Sequence, residues 1–152
     1  MKQVLTPVLS DDEYRIVLTW GESPADLDSH LVYYKDATQI MHVYYANKNG
    51  FIDGKEIAKL DYDDTSSYGP ETVTIILNAG LLEGGLFSYY VHDFSNSAYG
   101  DSSELSESNA VVRVYKGNEL IQTYNVPQNK RGIKWDVFAI SKNGLITYNE
   151  IE

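Results

Sequence analysis

The apolar residues of this chain come in short alternating runs and hardly anywhere at the spacing of an amphipathic helix. Tyr14-Arg15-Ile16-Val17-Leu18-Thr19-Trp20 opens the series. Segments rich in Val, Ile, Thr and Tyr follow at 29–34, 39–45, 56–62, 72–77, 86–93, 110–116, 119–125, 133–140 and 145–148. Turn residues separate them about every ten positions, the pattern of an all-β chain. Two pairs read as hairpins. Val111–Tyr115 turns at Lys116-Gly117-Asn118 into Glu119–Tyr124, and Trp135–Ile140 turns at Lys142-Asn143-Gly144 into Leu145–Tyr148. Asn-Gly suits a tight hairpin because it supplies the positive φ angles the turn requires.

Short strands without helices must each bury one face, and two packed sheets do this most simply. The expected fold is a two-sheet antiparallel β-sandwich, Ig-like or jelly-roll-like, with 1–152 as one domain; a closed barrel is the alternative. No internal repeat or linker divides the chain. The longest irregular stretch, Ser95–Asn109, carries six serines and three acidic residues and reads as a solvated loop.

The most informative segment is Trp20-Gly21-Glu22-Ser23-Pro24-Ala25-Asp26-Leu27-Asp28-Ser29-His30-Leu31. If 26–32 is extended, Asp26, Asp28 and His30 share one face while Leu27, Ser29 and Leu31 share the other. Alternate side chains stand about 6.6 Å apart, so neighbouring carboxylates can converge on one ion. Like charges on one face repel, and a bound cation removes that cost. Oxygen ligands in loose geometry suit Ca²⁺.

A second cluster, Asp61-Tyr62-Asp63-Asp64-Thr65-Ser66-Ser67-Tyr68-Gly69-Pro70-Glu71, fails as an EF-hand loop. Its sixth position is Ser66 instead of glycine, and its twelfth is Thr72 instead of glutamate. It stands as an irregular calcium loop. The candidate ligands are therefore Asp26, Asp28, His30, Asp61, Asp63, Asp64 and Glu71. The competing reading makes them strand caps and Asx turns of an acidic protein.

Charge narrows the partners. Twelve Lys and Arg against twenty-two Asp and Glu give 12 − 22 = −10. Such a surface repels phosphate backbones and anionic membranes, so nucleic acid is not an expected partner, and it attracts cations. The absence of cysteine removes disulfides and thiolate chemistry. No apolar run approaches the roughly 18 residues of a membrane span. Met1-Lys2-Gln3-Val4 lacks a signal-peptide core. The chain reads as cytoplasmic, or as part of a longer exported protein.

His30, His42 and His92 are the only histidines. His30 and His92 with a carboxylate would make a Zn²⁺ site with an open position, the basis of an alternative reading as a zinc-dependent hydrolase. No H-E-x-x-H spacing and no G-x-S-x-G elbow accompanies it, so catalysis is not expected. Thirteen tyrosines against four phenylalanines favour half-buried strand faces and wet surfaces. The doublets Tyr33-Tyr34, Tyr44-Tyr45 and Tyr89-Tyr90 each put one ring on either face of a strand. Outward rings suit stacking on sugars, the basis of a carbohydrate-binding alternative, or simply pair across strands. The basic cluster Asn129–Lys134 reads as a neutralising loop, and nothing marks the buried triad of an isopeptide cross-link.

Trp20, the Asp26-Leu27-Asp28-Ser29-His30-Leu31 strand, Leu60-Asp61-x-Asp63 and Tyr68-Gly69-Pro70-Glu71 together resemble an uncharacterised family of bacterial secreted and surface domains. That family carries W…DLDxH(V/L) and YGPE motifs, followed by a strand like Tyr89-Tyr90-Val91-His92. The likeness spans roughly 14–94. It implies a β-sandwich, an extracellular or cell-surface location and no established catalysis. The resulting expectation is a structural or adhesive module, stabilised by Ca²⁺, whose partners include a glycan or another surface protein.

Overall fold

Alternation decides the architecture. The computed structural model describes residues 13–62 and 66–152. The strands are β1 (Glu13–Thr19), β2 (Leu27–Lys35), β3 (Thr38–Val43), β4 (Asn49–Ile52), β5 (Lys55–Tyr62) and β6 (Glu71–Ile76), then β7 (Gly85–Asp93), β8 (Val111–Lys116), β9 (Glu119–Asn125), β10 (Lys134–Ser141) and β11 (Gly144–Ile151). Two 3₁₀ turns, Ala79–Leu82 and Phe94–Asn96, are the only helical segments among the described residues. Neither is long enough to cross a membrane.

The strands form two antiparallel sheets, one in the order β4-β5-β6-β1-β8-β9 and the other β11-β10-β7-β2-β3. Among the described residues neither sheet closes on itself, so the fold is a sandwich and not a closed barrel. Tyr14, Ile16 and Leu18 of β1 and Val73 and Ile75 of β6 point inward at every second position. They meet Leu27, Leu31 and Tyr33 of β2, Phe87, Tyr89 and Val91 of β7, and Trp135 and Val137 of β10. One core fills the space between the sheets. Fully burying each of these side chains contributes roughly 1.5–3 kcal/mol.

Both expected hairpins form, as β8–β9 and β10–β11. Strand β4 was not legible: its four residues Asn49-Gly50-Phe51-Ile52 open on a turn-like Asn-Gly and show no alternation. The Ser95–Asn109 stretch is exposed or half-buried from Ser95 to Glu104, as its serines suggest, and tucks inward only near its far end. Leu105 is fully buried, and Ser106 and Ser108 are nearly so. The Ser106 hydroxyl donates to the Pro127 carbonyl at 2.6 Å, and that of Ser108 to the Leu105 carbonyl at 2.6 Å. Serine can be buried here because each hydroxyl finds a backbone acceptor.

One strand departs from alternation. Leu27 to Tyr33 of β2 are buried at every position. The inner set, Leu27, Ser29, Leu31 and Tyr33, faces the core. The outer set, Asp28, His30 and Val32, is covered by something else, and that cover holds the candidate site.

Candidate metal centre

Three loops meet where β1 runs out. The Trp20 backbone N–H donates to the Tyr68 carbonyl at 3.1 Å, and the Tyr68 N–H returns a bond to Gly21 at 3.0 Å. Ser67 N–H reaches the Ala25 carbonyl at 2.7 Å, and Gly21 N–H the Ser108 carbonyl at 2.8 Å. The Trp20 indole donates to the Pro24 carbonyl at 2.9 Å. Gly69, with φ of 75°, lets its backbone lie against the Trp20 ring, where a Cβ would come within 2.9 Å of the ring. The segment entering β2 and the segment entering β6 are thus laced together just before their acidic residues.

Glu71 opens β6 at an inward position, in step with Val73 and Ile75, and is fully buried. Its Oε1 accepts the Ser29 backbone N–H at 2.8 Å. That N–H lies beyond Leu31, the last residue of β2 paired with β3, so the carboxylate takes the place of a strand neighbour. Asp26, Asp28 and Glu71 each present an oxygen, and the three oxygens lie within 4.8 Å of one another. Asp28 is 2% exposed. At that separation, two ionised carboxylates repel by about 3 kcal/mol at an effective dielectric of 20. A dication among them reverses the sign of the interaction.

Asp28 also belongs to a second group. It pairs across the ladder with His92 of β7, and donor atoms of Asp28, His30 and His92 lie within 4.8 Å of one another. His30 is 7% exposed and stacks with two tyrosines, Tyr90 at 4.5 Å and 12° and Tyr44 at 5.2 Å and 16° between ring planes. Its Nδ1 shares a 2.8 Å hydrogen bond with His42 Nε2, while its own Nε2 is buried without a hydrogen-bond partner. His42 in turn stacks on Tyr44 at 4.2 Å. These rings cover the outer face of β2.

Burial, followed by the positive fields of His42, His92 and Lys134, lowers the His30 pKa from 6.5 to about 3. Burial lowers His42 and His92 as well, Asp26 opposing the shift at His92. The imidazoles are therefore neutral at physiological pH, the state that binds metals. The unfolded chain takes up a proton near pH 6.5 that folded His30 refuses. The contribution of His30 to stability in EDTA is therefore complete above that value and is lost as the pH drops from 6.5 toward 3, at up to about 1.4 kcal/mol per unit for this one group. Urea titrations between about pH 7.5 and pH 5 check this, and His30→Gln should flatten the slope.

The fold brings together Asp26, Asp28, His30 and Glu71 of the residues singled out from sequence. It does not bring Asp61 to them. Asp61 lies on β5, 3.5 Å from the Lys59 ammonium, and its carboxylate accepts the Thr74 hydroxyl. The register shift between Leu60 and Tyr62 sets its position on that strand. Asp63 and Asp64 lie outside the described residues. His42 had no assigned role in the sequence, because only the pairing of Val32 with His42 shows that it sits beside His30. Two of the three tyrosine doublets divide as alternation requires: Tyr33 and Tyr89 enter the core, while Tyr34 and Tyr90 line an outer cleft with Tyr148, Lys134, Asp136 and Glu150. Tyr44-Tyr45 lies beyond the end of β3, with Tyr44 stacked on His30 and His42, Tyr45 exposed and neither ring in the core.

No family model matches the chain, and no curated protein matches it. Among solved structures it is similar to one titled "Crystal structure of unknown function protein SAV2460", with 15% sequence identity and a TM-score of 0.64 over 95% of this chain and 92% of that one. At that identity the likeness concerns the fold alone.

Proposed function

We propose that this chain is a non-catalytic β-sandwich module in which Ca²⁺ ties one sheet to the other, serving as a structural or adhesive part of a longer exported protein. One observation carries the reading: Glu71 comes from the six-stranded sheet and meets Asp26 and Asp28 at the start of a strand of the five-stranded sheet. A cation held by all three spans the sandwich and relieves their repulsion. The net charge of −10 favours cation capture, and the motif likeness to secreted and surface domains supports the location. Glu71, fully buried and bonded to Ser29 N–H, is a polar contact between sheet and sheet. Thermal melts in EDTA and in Ca²⁺ test the reading, and equal midpoints would remove it.

The tyrosine cleft supports a second reading as a carbohydrate-binding module. Tyr34 and Tyr148 line the cleft beside Tyr90, whose ring is already stacked on His30 and covered by the Lys134 ammonium, while Lys134, Asp136 and Glu150 offer groups for sugar hydroxyls. Soluble oligosaccharides titrated with Ca²⁺ present should bind the native chain and bind Tyr34→Ala more weakly. No binding by any sugar class would discard this alternative.

A further inference from the structure

The histidine cluster does more than cover β2. We infer that Asp28, His30 and His92 form a second metal site, selective for Zn²⁺ and similar borderline transition ions, beside the oxygen-only triad. It does not rest on the calcium reading, although Asp28 is common to both groups.

Three features support it. First, the donor set is two imidazoles and one carboxylate, which binds Zn²⁺ with one position open to water. Second, His30 Nε2 is a buried nitrogen without a hydrogen-bond partner, on a side chain 7% exposed. The Nδ1 contact to His42 at 2.8 Å supplies the orienting bond that metal-bound histidines make through their other nitrogen. When His30 donates from Nδ1, its Nε2 carries the lone pair. Third, stacking against Tyr90 and Tyr44 fixes the ring before any ion arrives.

Distances are compatible. Zn²⁺ bonds of about 2.1 Å in a tetrahedron put ligand atoms about 3.4 Å apart. Donors already within 4.8 Å must close by at most about 1.4 Å, which side-chain rotation supplies. His92 is only partly buried and can make that movement while His30 stays fixed. Lys134 pairs with His92 across the strands and brings positive charge close. Its ammonium is engaged over the Tyr90 ring at 4.6 Å and by Asp136 at 3.5 Å and Glu152 at 3.7 Å, which offsets much of its field.

The ligand class follows from the donors. Ca²⁺ prefers oxygen, so the oxygen-only triad selects it, whereas imidazole nitrogen selects Zn²⁺ or Co²⁺. The two ions therefore sort by chemistry across one shared aspartate.

The test uses Zn²⁺ in competition with a chromophoric chelator, and Co²⁺ as a spectroscopic probe, on the full chain. The wild type should bind one Zn²⁺ and give intense visible Co²⁺ bands of low coordination number. His92→Ala should weaken Zn²⁺ by about 100-fold or more and abolish those bands, while its thermal response to Ca²⁺ stays intact. His92→Gln serves if the alanine variant does not fold. Glu71→Gln should keep the Zn²⁺ site and lose the Ca²⁺ response, so the two readings fail separately. Absence of stoichiometric Zn²⁺ binding overturns the inference. So does Zn²⁺ binding that survives loss of His92, or that disappears with Glu71→Gln, which would put the ion at the carboxylates.

Discussion

In EDTA, Glu71→Gln is expected to melt at or above the wild-type temperature, and in saturating Ca²⁺ the order should reverse. The amide keeps an oxygen that can accept the Ser29 N–H, so the buried backbone donor stays satisfied. It also replaces one of three carboxylates within 4.8 Å by a neutral amide, and for each ionised pair it joins removes a repulsion of about 3 kcal/mol. Without metal the variant therefore keeps the acceptor for the Ser29 N–H. With Ca²⁺ at about 100 times its dissociation constant, the wild type gains about 2.7 kcal/mol, or about 5–10 °C in a chain of this length. The variant should gain little. Scanning calorimetry under both conditions checks the crossing. A carboxylate with a purely structural role would instead give the variant the same offset with and without Ca²⁺.

Trp20→Ala should be among the most damaging single changes and should also silence the calcium response. The ring is 5% exposed and packs in the core, so truncation costs about 3–5 kcal/mol. Trp20 also anchors both segments that carry the acidic residues. Its indole holds the Pro24 carbonyl at 2.9 Å, its backbone N–H holds Tyr68 at 3.1 Å, and its ring lies against Gly69. Loss of the ring frees the approach to Asp26 on one side and to Glu71 on the other. Trp20→Phe restores most of the packing but not the indole bond, and should cost about 1 kcal/mol for that bond. Urea unfolding of both variants, with and without Ca²⁺, separates the packing loss from the loss of the cation's contribution.

These two residues also mark how much was legible beforehand. Strand positions could be read because burial on one face imposes a period of two, and β1, β6 and β8 obey it. Asp26 and Asp28 could be placed on one face by the same rule. That Glu71 points inward follows from its step with Val73 and Ile75, but what it meets depends on how the sheets pack. Packing across the sandwich brings Glu71 to Ser29, 42 positions away, and no local pattern encodes that meeting. Asp61 lies apart from the triad for a related reason. Sequence neighbourhood put it in the acidic turn, while strand β5 holds it against Lys59 and Thr74. His42 and His30 are close only because β3 folds back on β2 in one register, and a shift of one residue would place His42 on the other face. The covered outer face of β2 was hidden for the same cause: its cover is built from three strands.

Asp26, Asp28 and Glu71 are proposed to hold one cation between the sheets. A crystal structure of the protein grown with Ca²⁺ tests this most directly. The expected result is an ordered ion with oxygen atoms of all three residues at about 2.3–2.6 Å. Crystals in which these carboxylates hold no ion at a Ca²⁺ concentration that raises the melting temperature, or in which the ion binds at the Asp61–Asp64 turn instead, would contradict it.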